Sequence, residues 1–255
     1  MQYVICTLKS KSKLLFHRHV SPFHHIILTT MAQKILFTLL LQLTFALSAF
    51  AQSDEVGEYL AQNSKRFLTV KGLELKPGLL MEDALKAFEA KGWERSKYFD
   101  HFIEKNNTYV LNGTFYNRRD CNIFIVPTSN NKNIVKTITI CLPDYDTFKG
   151  LKNEYDNLKA DLSEKYHMVS STESFDDEAI EGSTLDKLKL LAISRGEARF
   201  ETEFHLSENK EDDLLGYIIL CISHTKNEYN DSFYVSIMYR TYDDIMEQIN
   251  ASDDL

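Results

Sequence analysis

Past residue 51, the imidazoles and thiols that could ligate a metal or take part in covalent catalysis are His101, His167, His205, His224, Cys121, Cys141 and Cys221. No histidine stands in the His-Glu-x-x-His arrangement that puts two imidazoles on one helical face, and each falls near an element end or on a polar face. A serine nucleophile would need a Gly-x-Ser-x-Gly elbow after a strand; Ser194-Arg195-Gly196 lacks the strand and the second glycine. Nine glycines build neither a phosphate loop nor a dinucleotide fingerprint. Acidic runs at Asp176-Asp177-Glu178, Glu208 to Asp213 and Asp243-Asp244 miss the alternating ligands and central glycine of an EF-hand. They fit a helix N-terminus, a hairpin loop and a second helix N-terminus, where negative charge is favourable. Paired carboxylates from distant positions, as in glycoside hydrolysis, would leave no local signature. The sequence therefore names no catalytic, cofactor-binding or metal-ligating residue and implies no cofactor.

The cysteines depend on strand register. If the turn between two neighbouring strands centres on Asn131, Cys121 opposes Cys141 and a cross-strand disulfide can form. If it centres between Asn131 and Lys132, Ile123 faces Ile140 and Ile125 faces Ile138, which gathers the aliphatics and sends the two thiols to opposite faces. Burial favours the second register, and three buried reduced thiols are then expected. A thiol nucleophile would need an exposed cysteine beside a histidine, whereas these three sit inside apolar strands.

The remaining signal is aromatic. Tyr116, Phe124, Tyr217, Phe233, Tyr234, Tyr239 and Tyr242 fall on predicted strands, and if helices cover one sheet face about half of them project from the other. Tyr217, Phe233, Tyr234 and Tyr239 are the candidate binding face, since tyrosine supplies large contact area at low entropic cost. The alternative is that they pack under loops and helices.

The elements that must position these residues follow from periodicity. A short strand spans 67–76 and is broken by Lys76-Pro77-Gly78. In a helix over 79–91, Met81, Ala84, Leu85 and Phe88 share one face; Gly92 stops it and Trp93 folds back as a cap. Strands are predicted over 109–117, 122–128 and 134–142. The strongest helix opens at Pro143-Asp144 and runs to Tyr166, about 22 residues and roughly 33 Å. A helical stretch over 176–193 is expected to turn Leu185, Leu188 and Leu191 inward. Strands near 198–206, 214–223 and 233–242 complete the second half. The pattern predicts an α+β fold, with an antiparallel sheet from two similar helix-then-three-strand halves (66–143 and 144–245) and helices mainly on one face. Residues 66–255 form a single domain in this reading, without a Pro-rich or Gly/Ser-rich linker.

Compartment is read from Met31 to Gln52. Lys34 precedes an apolar run from Ile35 to Leu47 and the small-residue site Ala49-Phe50-Ala51, so a signal peptide is expected to be cleaved between Ala51 and Gln52. The run is shorter than a membrane span needs. Residues 1–30, with Cys6, four basic residues and four histidines, read as an upstream extension before the true start, and 52–65 as a flexible lead-in. After cleavage 24 Lys and Arg remain against 37 Asp and Glu, a net charge of −13. That balance argues against nucleic acid and anionic membranes. No cysteine follows the cleavage site, so no lipid anchor is expected, and the odd thiol count leaves at least one sulfur unpaired within the chain.

The stretch Lys76-Pro77-Gly78-Leu79-Leu80-Met81-Glu82-Asp83-Ala84-Leu85, after a short strand and an export signal, resembles the opening of small bacterial envelope modules. These belong to the superfamily of β-lactamase-inhibitor proteins and outer-membrane assembly lipoproteins, in which a glycine-led helix pair packs on an antiparallel sheet. The layout is also similar to secreted, uncharacterised bacterial proteins. It departs by lacking the lipid-bearing cysteine and a second glycine-led helix start. The resemblance implies a protein-binding scaffold without catalytic residues. The expectation is an exported, periplasmic or secreted, non-catalytic module for an unknown protein partner. Its alternatives are a hydrolase whose carboxylates converge only in the fold and a structural envelope component.

Overall fold

Alternating apolar residues along a strand give a sheet one dry face, and helices with a single apolar stripe cover it. The computed structural model describes residues 66–96, 107–226 and 231–253. The signal segment, its Ala49, Ala51 and Gln52 cleavage residues, the 52–65 lead-in and His101 lie outside the described residues.

The expected first strand is instead a hairpin, β1 (Thr69–Val70) and β2 (Leu73–Glu74). Lys71 and Gly72 both adopt positive φ, which turns the chain back within two residues. Helix α1 (Met81–Glu89) buries Met81, Ala84, Leu85 and Phe88 as their spacing predicts. Trp93 folds back edge-on to Phe88, with centroids 6.1 Å apart. β3 (Glu94–Arg95), β4 (Tyr109–Phe115), β5 (Arg118–Pro127) and β6 (Val135–Cys141) follow as an antiparallel meander.

Helix α2 (Phe148–Ser163) starts later than Pro143-Asp144 suggested, because Thr147 is its N-cap, accepting from the Gly150 amide at 3.2 Å. The residues before it are extended, and the Tyr145 amide bonds Phe233 O. Phe148, Leu151, Tyr155, Leu158 and Leu162 form its buried stripe, each contributing about 1.5–3 kcal/mol by leaving water. β7 (His167–Phe175) comes next, then α3 (Glu178–Glu181), α4 (Asp186–Arg195), β8 (Ala198–His205), a 3₁₀ turn (Lys210–Leu215), β9 (Gly216–Lys226), β10 (Asp231–Thr241) and α5 (Tyr242–Asp253). The single helix expected over 176–193 is two helices, with a break from Gly182 to Leu185.

The fold is α+β, built on an eight-stranded antiparallel sheet in the order β3-β4-β5-β6-β10-β9-β8-β7. In the first half α1 is followed by four strands; in the second α2 is followed by β7, then by α3 and α4 and three more strands, and the halves run outward in mirrored order from the central β6–β10 pair. The extra strand in each half is an edge strand. β3 is two residues long, and β7 is exposed along most of its length, so neither carries the alternation that marks a half-buried strand. α1, α2 and α4 pack on one face, where Leu111, Ile123, Ile140, Ile237 and Leu220 form a buried row across five strands. Phe148, Phe175 and Phe200 pack against one another at 5.3–5.6 Å where α2 meets β7 and β8. Gly113 faces Trp93 so closely that any Cβ there would overlap the indole. Among the described helices α5 alone lies over the other face, at one end. Among the described residues no helix is long and apolar enough to cross a membrane.

Candidate functional site

The register settles the thiols. Ile123 opposes Ile140 and Ile125 opposes Ile138, so Cys121 lies on the helix-covered face and Cys141 on the other. The candidate Cys121–Cys141 disulfide is absent, and Cys121, Cys141 and Cys221 are all free. Cys141 and Cys221 both oppose Ser236, on β6 and β9 to either side of it. Two strand spacings separate them, about 9.6 Å, beyond the roughly 7 Å a disulfide spans. Cys221 Sγ is 3.1 Å from Ser236 Oγ. Burial pushes the Cys141 thiol up to about 12, with smaller contributions from Cys221, Cys121 and Asp144.

The four residues expected to share a binding face do not share one. Tyr217 and Tyr234 lie half-buried on the face opposite the helices. Phe233 and Tyr239 lie on the helix-covered face and are 9% and 3% exposed. On β10 the odd-numbered residues 233–239 point inward, and the grouping combined both parities of one strand. The exposed apolar side chains lie elsewhere. On α4 the inward residues are Leu190, Ala192 and Ile193, while its N-cap Leu185 and the helical Leu188 and Leu191, all expected to be buried, are 60%, 42% and 42% exposed.

Of the described histidines, His205 is the most elaborately held. Its Nε2 is 2.6 Å from Glu203 Oε1 and its Nδ1 2.6 Å from Asp213 Oδ1, while its ring lies 5.7 Å from that of Tyr217. Burial, the largest single influence, disfavours the charged ring; the hydrogen bonds to Glu203 and Asp213 and their charges outweigh it, and His205 titrates above the ordinary histidine value. With a carboxylate at each nitrogen the imidazolium donates twice and has no nitrogen free to act as a base. It ties the 3₁₀ turn to β8. His167 sits on the edge strand, 3.6 Å from Glu208. His224 Nε2 is buried 3.2 Å from Asp231 without hydrogen-bond alignment.

From Tyr217 a polar chain runs on under α5. Arg240 donates to the Tyr217 hydroxyl at 2.6 Å and pairs with Asp244, which is fully buried. Lys136 lies 3.5 Å from Asp244 and 2.7 Å from Glu247. The acidic runs fall as their composition implied: Asp177 caps α3, Glu208–Asp213 lies in the β8–β9 connection, and Asp243-Asp244 opens α5. Among the described residues no cluster of three or more His, Cys, Asp or Glu side chains is placed to hold a metal ion.

No protein-family model, curated protein or solved structure matches the chain.

Proposed function

We propose that this protein is an exported binding module, not a catalyst, and that it docks another protein on the leucine face of α4. The observation that carries this reading is the stripe Leu185, Leu188 and Leu191, three large apolar side chains at three-residue steps, each at least 42% exposed. Grouped exposed apolar residues mark interaction sites, whereas single ones do not. The partner that fits is a protein with an apolar groove able to receive a helix face. The Met31–Gln52 segment supports export, and the resemblance of Lys76–Leu85 to envelope modules supports a scaffold role. The doubly occupied His205 favours a structural histidine over a general base.

Crosslinking followed by capture from envelope and medium tests the docking. A partner retained by the wild type and by Tyr217→Ala, and lost with Leu188→Asp, is the expected result. Equal capture by the Leu188→Asp variant, or recovery of this chain alone, overturns it. N-terminal sequencing of the exported protein tests the compartment and is expected to begin at Gln52.

A further inference from the structure

A cavity of about 170 Å³ lies between the Lys71–Gly72 turn, the Phe115–Tyr116 turn and the C-terminal end of α2, with Tyr239 of β10 lining it. Its cations differ from the paired lysines of the surface. Lys76, Lys86, Lys136, Lys152 and Lys159 each have a carboxylate oxygen at 2.5–2.9 Å. Lys71 and Lys165 have no carboxylate partner among the described residues. They flank the Tyr116 ring at 5.7 and 5.6 Å, and Lys165 donates to the Tyr116 hydroxyl at 3.3 Å. Lys91 Nζ approaches the same turn, 3.1 Å from where a Cβ on Gly72 would stand. The nearby carboxylates do not close the site: Glu74 is held by Lys76 at 2.9 Å, and Asp161 acts on Lys165 only through space.

Tyr239 adds a second, independent sign. It is 3% exposed, lines the cavity, and its hydroxyl has no hydrogen-bond partner among the described residues. The hydroxyl is not sealed in the core, and one that lines a cationic cavity can donate to a ligand acceptor. Because Tyr116 already accepts from Lys165, its own proton is also available to a ligand. Tyr166, by contrast, is engaged with the Thr69 backbone at 3.3 Å.

We propose that this cavity binds a tetrahedral oxyanion, the phosphate or sulfate group of a small molecule, held by Lys71, Lys165, Tyr116 and Tyr239. Ammonium groups act as point charges on phosphate, and ammonium and hydroxyl donors from separate elements suit the four oxygens of a tetrahedral anion. The volume is close to the roughly 150 Å³ that admits a benzene-sized body. A second cleft of about 310 Å³ shares Thr69, Lys165 and Tyr166 and adds Arg66, giving room for the remainder of an ester. The site is independent of the leucine face, and an acidic chain of net charge −8 makes it a local exception.

The test is NMR titration of the full chain with inorganic phosphate, sulfate, acetate and chloride at matched ionic strength. Saturable shifts at Gly72, Tyr116, Tyr166 and Tyr239 with phosphate or sulfate are expected. Lys71→Gln and Lys165→Gln should each weaken them about tenfold, the equivalent of losing one charge-assisted hydrogen bond. Tyr239→Phe, which keeps the ring, should weaken them less. Shifts that chloride reproduces, saturation unchanged in Lys71→Gln and Lys165→Gln, or acetate binding as tightly as phosphate would each overturn the proposal. An unaltered spectrum away from the cavity shows that the variants are folded.

Discussion

The two faces of the sheet share a backbone and differ in every alternate residue. Leu111, Ile123, Ile140, Ile237 and Leu220 form a row on the helix-covered face; one residue along, Asn112, Asn122, Cys141, Ser236 and Cys221 form a row on the other. The next row on that second face is Val110, Phe124, Thr139, Met238 and Ile219. Over β5, β6, β10 and β9 these two rows carry no charge, and Glu201 and Glu203 appear only on β8. The first face therefore holds the apolar contacts that stabilise the fold. The second is held by short polar links, such as the Asn112–Asn122 amide pair and the Ser223–Ser236 contact at 2.8 Å.

Neighbouring substitutions on β6 test this contrast with the largest expected effect. Ile140→Ala removes a fully buried side chain and should cost about 2–5 kcal/mol in urea unfolding, through lost transfer energy and the cavity left behind. Thr139→Ala, adjacent but on the other face, should change stability by about 0.5 kcal/mol or less. Equal losses would mean that the second face is packed as tightly as the first.

Under α5 the second face buries a charge. Asp244 is fully buried against Arg240, Lys136 and Gln248, so Asp244→Ala strands Arg240, while Lys136 keeps Glu247 at 2.7 Å. Because Lys136 and Arg240 are partly exposed, the loss should lie near the lower end of the buried-pair range, about 3 kcal/mol. Adding Arg240→Met to Asp244→Ala should recover part of it. No recovery in that double variant would show that Asp244 acts on α5 by some route other than its charge.

How far these faces could be read from sequence depended on alternation. Phe200, Phe204 and Leu206 alternate with charged residues, and the Ile123/Ile140 register follows from gathering aliphatics, so the dry face was legible. α4 was not: in Leu185-Asp186-Lys187-Leu188-Lys189-Leu190-Leu191-Ala192-Ile193 the apolar residues cover more than one helical face, and periodicity alone cannot choose between Leu188 and Leu190. Tertiary packing against α2 and β9 makes that choice. Likewise Lys71, Tyr116, Lys165 and Tyr239 come from separate elements and converge only in the fold. His205 could be placed on a polar face, but Asp213 reaches it from a 3₁₀ turn that no pattern announces.

A smaller effect belongs to the polar spot on the dry face. Tyr155 is fully buried, and burial pushes its hydroxyl up to about 12, so it stays neutral and bonds Thr202 at 2.6 Å. Tyr155→Phe should cost about 1 kcal/mol, because Thr202 keeps Ser171 at 2.9 Å and is not orphaned. A loss above about 3 kcal/mol would show that Ser171 does not compensate.

The smallest expected effect is pH-dependent and separates the ends of the second face. His205 titrates above its unfolded value of about 6.5, since Glu203 and Asp213 together outweigh the opposing effect of burial. A raised histidine binds its proton more tightly when folded, so its contribution is fully present below about pH 6.5 and is lost as pH rises through the folded value. Stability of the wild type minus that of His205→Gln should therefore be greatest near pH 6 and decline on the alkaline side. His167 and His224 are common to both proteins and cancel in the difference. A difference that is flat from pH 6 to 9 would mean that the ring between Glu203 and Asp213 is neutral. One that grows with pH would reverse the sign, making burial the stronger influence and leaving the 3₁₀ turn tied to β8 by a neutral imidazole.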